Sequence, residues 1–237
     1  MTQLQPMDPN EAFAELGRIR LADVDVDALL DKIAQLAKRT IPGADEVSVT
    51  LLHGNVAQTA AFTGDLALQL DEVQYEHGYG PCLDAAAATA VLSVPDTGSE
   101  DRWPDWSRAA KEAGAGSSLS IGLPVHERVT GALNIYATEP QAFDEDAVTL
   151  AQTFAGYAAV ALANSHLYET QATLAVHMQK AMENRAIIEQ AKGIIMGDRR
   201  CTAEEAFAIL SRLSQDTNRK LRDVANALVT RASEPPE

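Results

Sequence analysis

Apolar residues in the first part of the chain recur first at helical and then at strand spacing. Between residues 23 and 40 the apolar positions share one helical face: Leu29, Leu30, Ile33, Leu36 and Ala37. From residue 46 the period becomes two, and the runs EVSVTLL and VAQTAAF predict two short strands. The turn-type sequence His53-Gly54-Asn55 between them predicts a hairpin.

The middle of the chain, residues 65–96, keeps neither period for long. Gly78, Gly80 and Pro81 interrupt it, and an Ala-rich stretch follows, so we expect an irregular, partly helical segment. Two further strand-like runs, SLSIGLPV and VTGALNIYAT, then flank a turn at residues 126–128. This order of elements predicts an α+β domain built on an antiparallel sheet.

Residues 144–196 contain no proline and predict one long helix that closes this domain and continues beyond it. Four apolar residues follow one another at the seven-residue spacing of a coiled-coil seam: Leu167, Leu174, Ala181 and Ile188, with Ile195 next in the series. The positions three residues later are mostly polar, so the seam is imperfect. Beyond about residue 166, a dimer seam and intramolecular core packing stay open as alternatives.

Two short helices are predicted after the long one. Thr202 and Glu205 have the spacing of a capping box. The predicted inner face of the first short helix consists of Ala206, Phe207, Leu210 and Leu213, and that of the second consists of Leu221, Val224, Ala225 and Leu228. The last sixty residues thus predict a small three-helix unit.

Charge is divided unevenly along the 237 residues. The formal net charge is -15, yet residues 174–231 carry 10 Lys and Arg against 7 Asp and Glu. Arg219, Lys220 and Arg222 stand at the predicted start of the last helix, where cations oppose the helix macrodipole. An anionic partner would turn that opposition into a favourable interaction. A solvated charged face explains the same residues without a partner.

Several classes of protein are disfavoured by what the sequence lacks. It has no run of about 18 apolar residues and no secretory signal, so we expect a cytoplasmic protein without a membrane span. Cys82 and Cys201 indicate neither a disulfide framework nor a zinc site, and no two histidines have chelating spacing on a helix. Because no catalytic motif occurs either, we expect neither a metal site nor an enzyme.

The C-terminal sequence AKGIIM, followed by EEAFAILSRLSQDTNRKLRDVANALV, closely resembles the ANTAR domain, an RNA-binding three-helix module of bacterial transcription antiterminators. The resemblance covers about residues 174–232. The matching positions are Ala191, Lys192, Gly193, Met196, Ala206, Leu210, Ser214, Asn218, Leu221, Asp223, Val224 and Ala225. The resemblance implies a homodimer whose two modules bind paired stem-loops in a leader RNA and prevent formation of a terminator hairpin.

The resemblance also implies an RNA-binding surface. Ala191 and Gly193 are expected to leave the helix surface open to close approach. Phosphate contacts are expected from Lys192, Arg199, Arg200, Arg219 and Lys220. RNA loops are usually read by aromatic stacking or by hydrogen bonds to base edges. With Phe207 assigned to the core, we expect polar readout by Ser214, Thr217 and Asn218, for which helix capping is the alternative role.

Residues 23–168 resemble a GAF domain of the actinobacterial kind that precedes ANTAR modules. The resemblance rests on GYGPCLDAA, DRWPDWSRAAKEAGAGSSLSIGLPV and TGALNIYATEPQAFDEDAVTLAQTFAGYAAVALANS. It implies a sensory domain that takes a small-molecule effector between the sheet and the irregular middle, where His77, Tyr79 and Cys82 are candidate pocket residues. No cofactor is identified, and a haem held by His77 is a minor alternative. The Asn-Lys-Phe-Asp-Glu signature of cyclic-nucleotide-binding members is missing.

The predicted organisation is therefore an N-terminal extension at 1–22, a GAF-like sensory domain at 23–168, an ANTAR-like RNA-binding domain at 169–232 and a disordered tail at 233–237. A signal in the first domain would reach the second through the shared helix. Alternatives are a DNA-binding regulator with a helix-turn-helix-like C-terminus and a dimeric signalling adaptor that binds no nucleic acid. A phosphorelay through His166 or His177 is a third, less favoured alternative.

Overall fold

The computed structural model describes residues 6–20, 23–54, 56–126 and 129–233. Backbone contacts divide the chain into two compact units, residues 1–168 and residues 169–237. The remaining residues lie outside this description. They are parts of the predicted N-terminal extension, parts of both predicted hairpin turns, and residues 234–237 of the predicted tail. Each unit is described by itself below.

The N-terminal unit is built on five antiparallel strands in the order β2-β1-β5-β4-β3. The strands are β1 (Glu46–His53), β2 (Val56–Phe62), β3 (Val91–Val94), β4 (Ser117–His126) and β5 (Val129–Ala137). The helices are α1 (Pro9–Gly17), α2 (Val26–Thr40), α3 (Asp65–His77), α4 (Pro81–Ala88), α5 (Pro104–Ala113) and the start of α6 (Glu145–Arg199), with a short 3-10 helix at Thr97–Ser99. The predicted α+β class and the antiparallel sheet are confirmed.

One face of the sheet is apolar and packs on α1, α2 and α6. Its strands contribute alternate residues that are almost fully buried: Val47, Val49, Leu119, Ile121, Leu133 and Ile135. Leu30 and Ile33 of α2 and Phe154 of α6 cover them. Each such side chain stabilises the fold by about 1.5–3 kcal/mol on burial, so this face is the main source of stability of the unit.

The opposite face of the sheet is covered by α3, α4 and α5. The sequence predicts an irregular, partly helical middle here. The helix expected in the Ala-rich stretch is present as α4, whereas the expectation of irregular structure before Gly78 is wrong, because α3 runs for 13 residues without a break. The helix was hard to see because Asp71 and Gln74 are buried alongside Ala67 and Leu70, which blurs its apolar stripe. Gly78 ends α3 in a left-handed conformation, with φ of 73°.

The C-terminal unit consists of the end of α6 with α7 (Ala203–Asp216) and α8 (Leu221–Ser233). The predicted capping box is present, since the Thr202 N–H donates to Glu205 Oε2 at 2.9 Å and the Glu205 N–H donates to Thr202 Oγ1 at 3.2 Å. The buried core is small and contains Ala191, Ile195, Ala206, Leu210 and Ala225.

Two of the predicted inner-face residues of α7 are not buried. Phe207 and Leu213 are each 45% exposed, so their assignment to the core is wrong. Both flank the line through Ala206 and Leu210 that faces the other helices. In a unit this small only the central line of each helix is covered, and flanking positions stay in contact with water.

Candidate nucleic-acid interface

The corner between α7 and α8 is held by side chains that the sequence marks as candidates for RNA readout. The Ser214 hydroxyl donates to the Arg219 carbonyl oxygen at 2.5 Å, and the Thr217 hydroxyl donates to the Leu213 carbonyl oxygen at 2.5 Å. Asn218 has a φ of 49°, a left-handed conformation that asparagine tolerates. These contacts give all three residues a role in the turn, and the Ser214 and Thr217 oxygens can then only accept further hydrogen bonds.

Arg219 and Lys220 follow this turn and directly precede α8. Both are exposed, and within the described part of the chain neither forms an ion pair. The Lys220 carbonyl oxygen accepts the first helical hydrogen bonds, from the N–H groups of Asp223 and Val224. Two uncompensated cations thus stand at the positive end of a helix, an arrangement that attracts anions.

The corner between α6 and α7 carries two more cations. Arg199 ends α6, and its side chain is 72% exposed, with Nε 3.1 Å from Asp198 Oδ2. Arg200 follows it with a φ of 51°, a conformation that costs a residue with a Cβ roughly 1–2 kcal/mol. A surface ion pair as exposed as that of Arg199 holds its partner weakly, so the guanidinium can exchange Asp198 for a phosphate.

The three candidate RNA-binding residues on α6 differ in their exposure to solvent. Gly193 is exposed, and a Cβ added to it would meet nothing within 4 Å. The Lys192 side chain is only 16% exposed, and its Nζ lies 3.0 Å from both carboxylate oxygens of Glu189. Ala191 is fully buried in the core of the unit, so the prediction that it opens a surface to RNA is wrong. Its small side chain instead allows the helices to pack closely.

The predicted dimer seam is largely uncovered in the single chain. Leu167 and Leu174 are 54% and 57% exposed, and Ala181 is exposed as well. Ile188 is half-buried and packs against the core of the C-terminal unit instead. Val160, seven residues before Leu167, is also exposed. The apolar row is therefore available to a second copy, and dimerisation through it stays a prediction.

The three candidate pocket residues of the N-terminal unit have different surroundings. His77 is exposed, and its Nδ1 lies 2.8 Å from the Val73 carbonyl oxygen. The Tyr79 hydroxyl donates to Asp105 Oδ2 at 2.5 Å, a hydrogen bond that raises the pKa of Tyr79. Cys82 is fully buried, and burial raises the pKa of its thiol. A ligand pocket formed by all three stays a prediction.

A buried polar network lies between α3 and the sheet, centred on the fully buried Asp71. Its Oδ1 accepts from the Tyr136 hydroxyl at 2.7 Å and from Asn134 Nδ2 at 3.2 Å, while Oδ2 accepts from the Thr59 hydroxyl at 2.9 Å. Burial raises the pKa of Asp71 to about 6, although hydrogen bonds, the first of them with Ser48, oppose the shift. Within the described residues no Lys or Arg forms an ion pair with this carboxylate.

The network extends across the strands of the same face. The Tyr75 hydroxyl lies 2.9 Å from both the Thr50 and Thr59 hydroxyls. In the described chain Asn134 Oδ1 and the hydroxyls of Ser118 and Ser120 are buried without a hydrogen-bond partner. Sequence reasoning missed this site, yet a signal for it exists, because polar residues alternate with apolar ones in β1 and β4 at a period of two.

Other kinds of site find no support in the part of the chain that the structure covers. No group of three or more His, Cys, Asp or Glu side chains in the described ranges is placed to hold a metal ion. Nor does any described helix combine the length and the apolar character needed to cross a membrane.

Two family models match the sequence. A GAF domain model matches residues 23–163, and an ANTAR domain model matches residues 176–229. No curated protein matches the sequence.

Solved structures with the same fold include two proteins with different roles. The phycoerythrobilin-bound GAF domain from a cyanobacterial phytochrome is 15% identical, with a TM-score of 0.53 over 68% of this chain and 97% of that chain. Free methionine-R-sulfoxide reductase from Neisseria meningitidis, in complex with its substrate, is 20% identical, with a TM-score of 0.53 over 71% of this chain and 99% of that chain. At these identities the likeness shows the fold alone.

Proposed function

The chain belongs to the GAF domain family and carries an ANTAR domain behind its GAF domain, and from this premise we propose that it binds paired stem-loops in leader RNA to promote transcription antitermination. An ANTAR domain is an RNA-binding antitermination module. We further propose that the stem-loops are paired, that the GAF domain controls RNA binding and that the protein acts as a homodimer. The protein acts in the cytoplasm, where nascent transcripts are available.

The observation that carries the proposal is the pair of uncompensated cations at the start of α8. Arg219 and Lys220 are exposed and stand directly before α8, at the positive end of the helix macrodipole. A phosphate group of RNA can interact with these cationic side chains and with the N–H groups at the start of α8 at the same time. The exposed Arg199 and Arg200 provide a second cationic position in the same unit, at its other corner.

Control by the N-terminal unit is proposed to act through α6 and a second copy. The helix begins in the sensory unit and ends in the RNA-binding unit, and its exposed Leu167, Leu174 and Ala181 offer a seam for dimerisation. A small-molecule effector bound by the GAF domain would change how two such helices pair. Two RNA-binding units side by side then suit two stem-loops in one leader.

The test is a binding experiment with the full-length protein. RNAs are selected from a library that carries two hairpins with randomised loops. The affinity for a selected RNA, its loop-scrambled version and a DNA duplex is then measured over a series of salt concentrations. Arg219→Ala/Lys220→Ala is compared with Arg18→Ala/Arg20→Ala, which removes the same charge from exposed positions of the N-terminal unit.

We expect selective binding of looped RNA that weakens with salt. Log affinity falls with log salt concentration, and Arg219→Ala/Lys220→Ala should reduce the magnitude of this slope by about 1 to 2. Arg18→Ala/Arg20→Ala should leave the slope unchanged. Tighter binding of duplex DNA would indicate a DNA-binding regulator instead. No nucleic-acid binding even at low salt would indicate a dimeric adaptor.

A further inference from the structure

The exposed ring of Phe207 is the least expected feature of the C-terminal unit. Phe207 is the only aromatic residue after Tyr168, and it is 45% exposed on α7. The N-terminal unit buries Trp106, Tyr136 and Phe154 almost completely and leaves three rings about as exposed as Phe207: Phe62, Tyr157 and Tyr168. A phenylalanine that is 45% exposed forgoes part of the stabilisation that burial provides, so the ring of Phe207 keeps an apolar surface that a ligand can cover.

On the side of α7 away from the core, the residues one turn from Phe207 are polar: Glu204 precedes it by three positions and Ser211 follows it by four. Ser211 and Ser214 lie four and seven residues further on, which places them on the same side of the helix. Ser214 lies about 10 Å from Phe207 along the helix axis, at 1.5 Å per residue. Its hydroxyl donates to the Arg219 carbonyl oxygen, so this strip of α7 leads from the aromatic ring to the cationic corner.

The opposite flank of α7 has a different character. Leu213 is as exposed as Phe207, at 45%, but lies roughly 120° around the helix axis from it. Neither Ser211 nor Ser214 shares its side of the helix. A single aromatic ring among polar side chains does not form an extended apolar patch of the kind that docks another protein.

We propose that Phe207 is a base-stacking residue of the RNA interface, whose ring packs against an unpaired base of a bound stem-loop. This inference rests on the proposed RNA-binding function and names the group that distinguishes loops from duplexes. Bases in loops are unstacked and offer a free face to an aromatic side chain, whereas the faces of bases within a duplex are covered by their neighbours. Arg219 and Lys220 bind the phosphates in either case.

The experiment uses the full-length protein and the selected two-hairpin RNA. Phe207→Ala should weaken binding roughly 5- to 100-fold, the effect typical of losing one base–aromatic stack, without changing the salt slope. Phe207→Trp should retain the affinity, while Phe207→Leu, which keeps an apolar side chain without a ring, should not restore it. Leu213→Ala is the matched control and should change the affinity less than twofold.

Different outcomes separate this inference from the proposed function. If the unaltered protein binds no RNA selectively, the proposed function fails and this inference fails with it. If the unaltered protein binds and the Ala and Leu variants bind equally well, only the stacking role is wrong. Restoration by Phe207→Leu, or a change in oligomeric state with unaltered RNA affinity, would also overturn it. Equal far-ultraviolet circular dichroism and thermal unfolding of all variants exclude a loss of folding.

Discussion

The two units of the molecule treat their chemically active side chains in opposite ways. The N-terminal unit buries Trp106 and Tyr136 and even a carboxylate, Asp71, which lies between α3 and the sheet. The C-terminal unit leaves its one aromatic ring, Phe207, and the cations Arg219 and Lys220 in water. The buried carboxylate of one unit is reached by no large partner, whereas the exposed cations of the other are open to one.

The hydrophobic cores of the two units differ in extent. In the sheet unit, both faces are covered, and one of them carries an extensive apolar cluster. The core of the helical unit contains five buried residues among those that the structure describes, and three of them are alanines, Ala191, Ala206 and Ala225. Units of this size have little stability to spare, so we expect the helical unit to be the first to unfold.

The largest expected effect is therefore that of Leu210→Ala. Removal of this fully buried side chain should destabilise the helical unit by about 2–5 kcal/mol and abolish RNA binding. Both tryptophans, Trp103 and Trp106, lie in the sheet unit, so urea unfolding followed by their fluorescence should not change. The helical circular dichroism signal of this variant should be lost at a lower urea concentration than that of the unaltered protein. Leu133→Ala in the sheet should give the converse result, and the comparison fails if both variants shift the fluorescence transition alike.

The next effect concerns the buried carboxylate. Because the folded state raises the pKa of Asp71 from 3.8 to about 6, the folded protein binds this proton more tightly than the unfolded chain. The contribution of this carboxyl to the free energy of unfolding is thus fully present below about pH 4 and is lost as the pH rises through about 6. The free energy of unfolding changes by about 3 kcal/mol over this range. Asp71→Asn should remove this dependence from the fluorescence-detected stability of the sheet unit. Glu72→Gln, at the exposed adjacent position, should retain it.

The helix shared by the two units gives a third test, with an expected effect of at least about tenfold on binding. Two residues inserted after Tyr168 rotate the following helix by about 200°, whereas seven residues restore its phase to within about 20°. If a seam at Leu167, Leu174 and Ala181 pairs two chains, the short insertion should remove the gain in affinity that a second stem-loop provides. The long insertion should preserve that gain. Equal behaviour of the two insertions would contradict coupling through the helix.

The smallest expected effect is that of Lys192→Ala. The Lys192 side chain is largely covered, and its ammonium lies 3.0 Å from the Glu189 carboxylate, unlike the uncompensated cations at the start of α8. We expect RNA affinity to fall less than about threefold, the range of a partly exposed ion pair. A loss as large as that of Arg219→Ala/Lys220→Ala would show that Lys192 leaves Glu189 to bind RNA.

Periodicity in the sequence predicts much of this architecture. The face of α2, four of the five strands, the long α6 and the capping box at Thr202 follow from local spacing, because each depends on residues close together in sequence. The short strand β3 is not predicted. The matched GAF and ANTAR models agree with the resemblance drawn from the motifs.

Two parts could not be predicted in this way. Helix α3 buries Asp71 and Gln74, and their burial depends on hydroxyl and amide partners from distant strands, which spacing does not reveal. The burial of Ala191 and the exposure of Phe207 depend on which flank of a helix its neighbours cover. A stripe of apolar residues indicates the centre of a buried face but does not fix its edges.

The most direct test of the account is transcription by purified polymerase through a leader in which the selected two-hairpin RNA overlaps a terminator hairpin. The full-length protein should increase readthrough of the terminator, and Arg219→Ala/Lys220→Ala should abolish the increase while Arg18→Ala/Arg20→Ala retains it. The account is contradicted if the protein binds this leader and termination is unchanged, or if the two double variants raise readthrough equally.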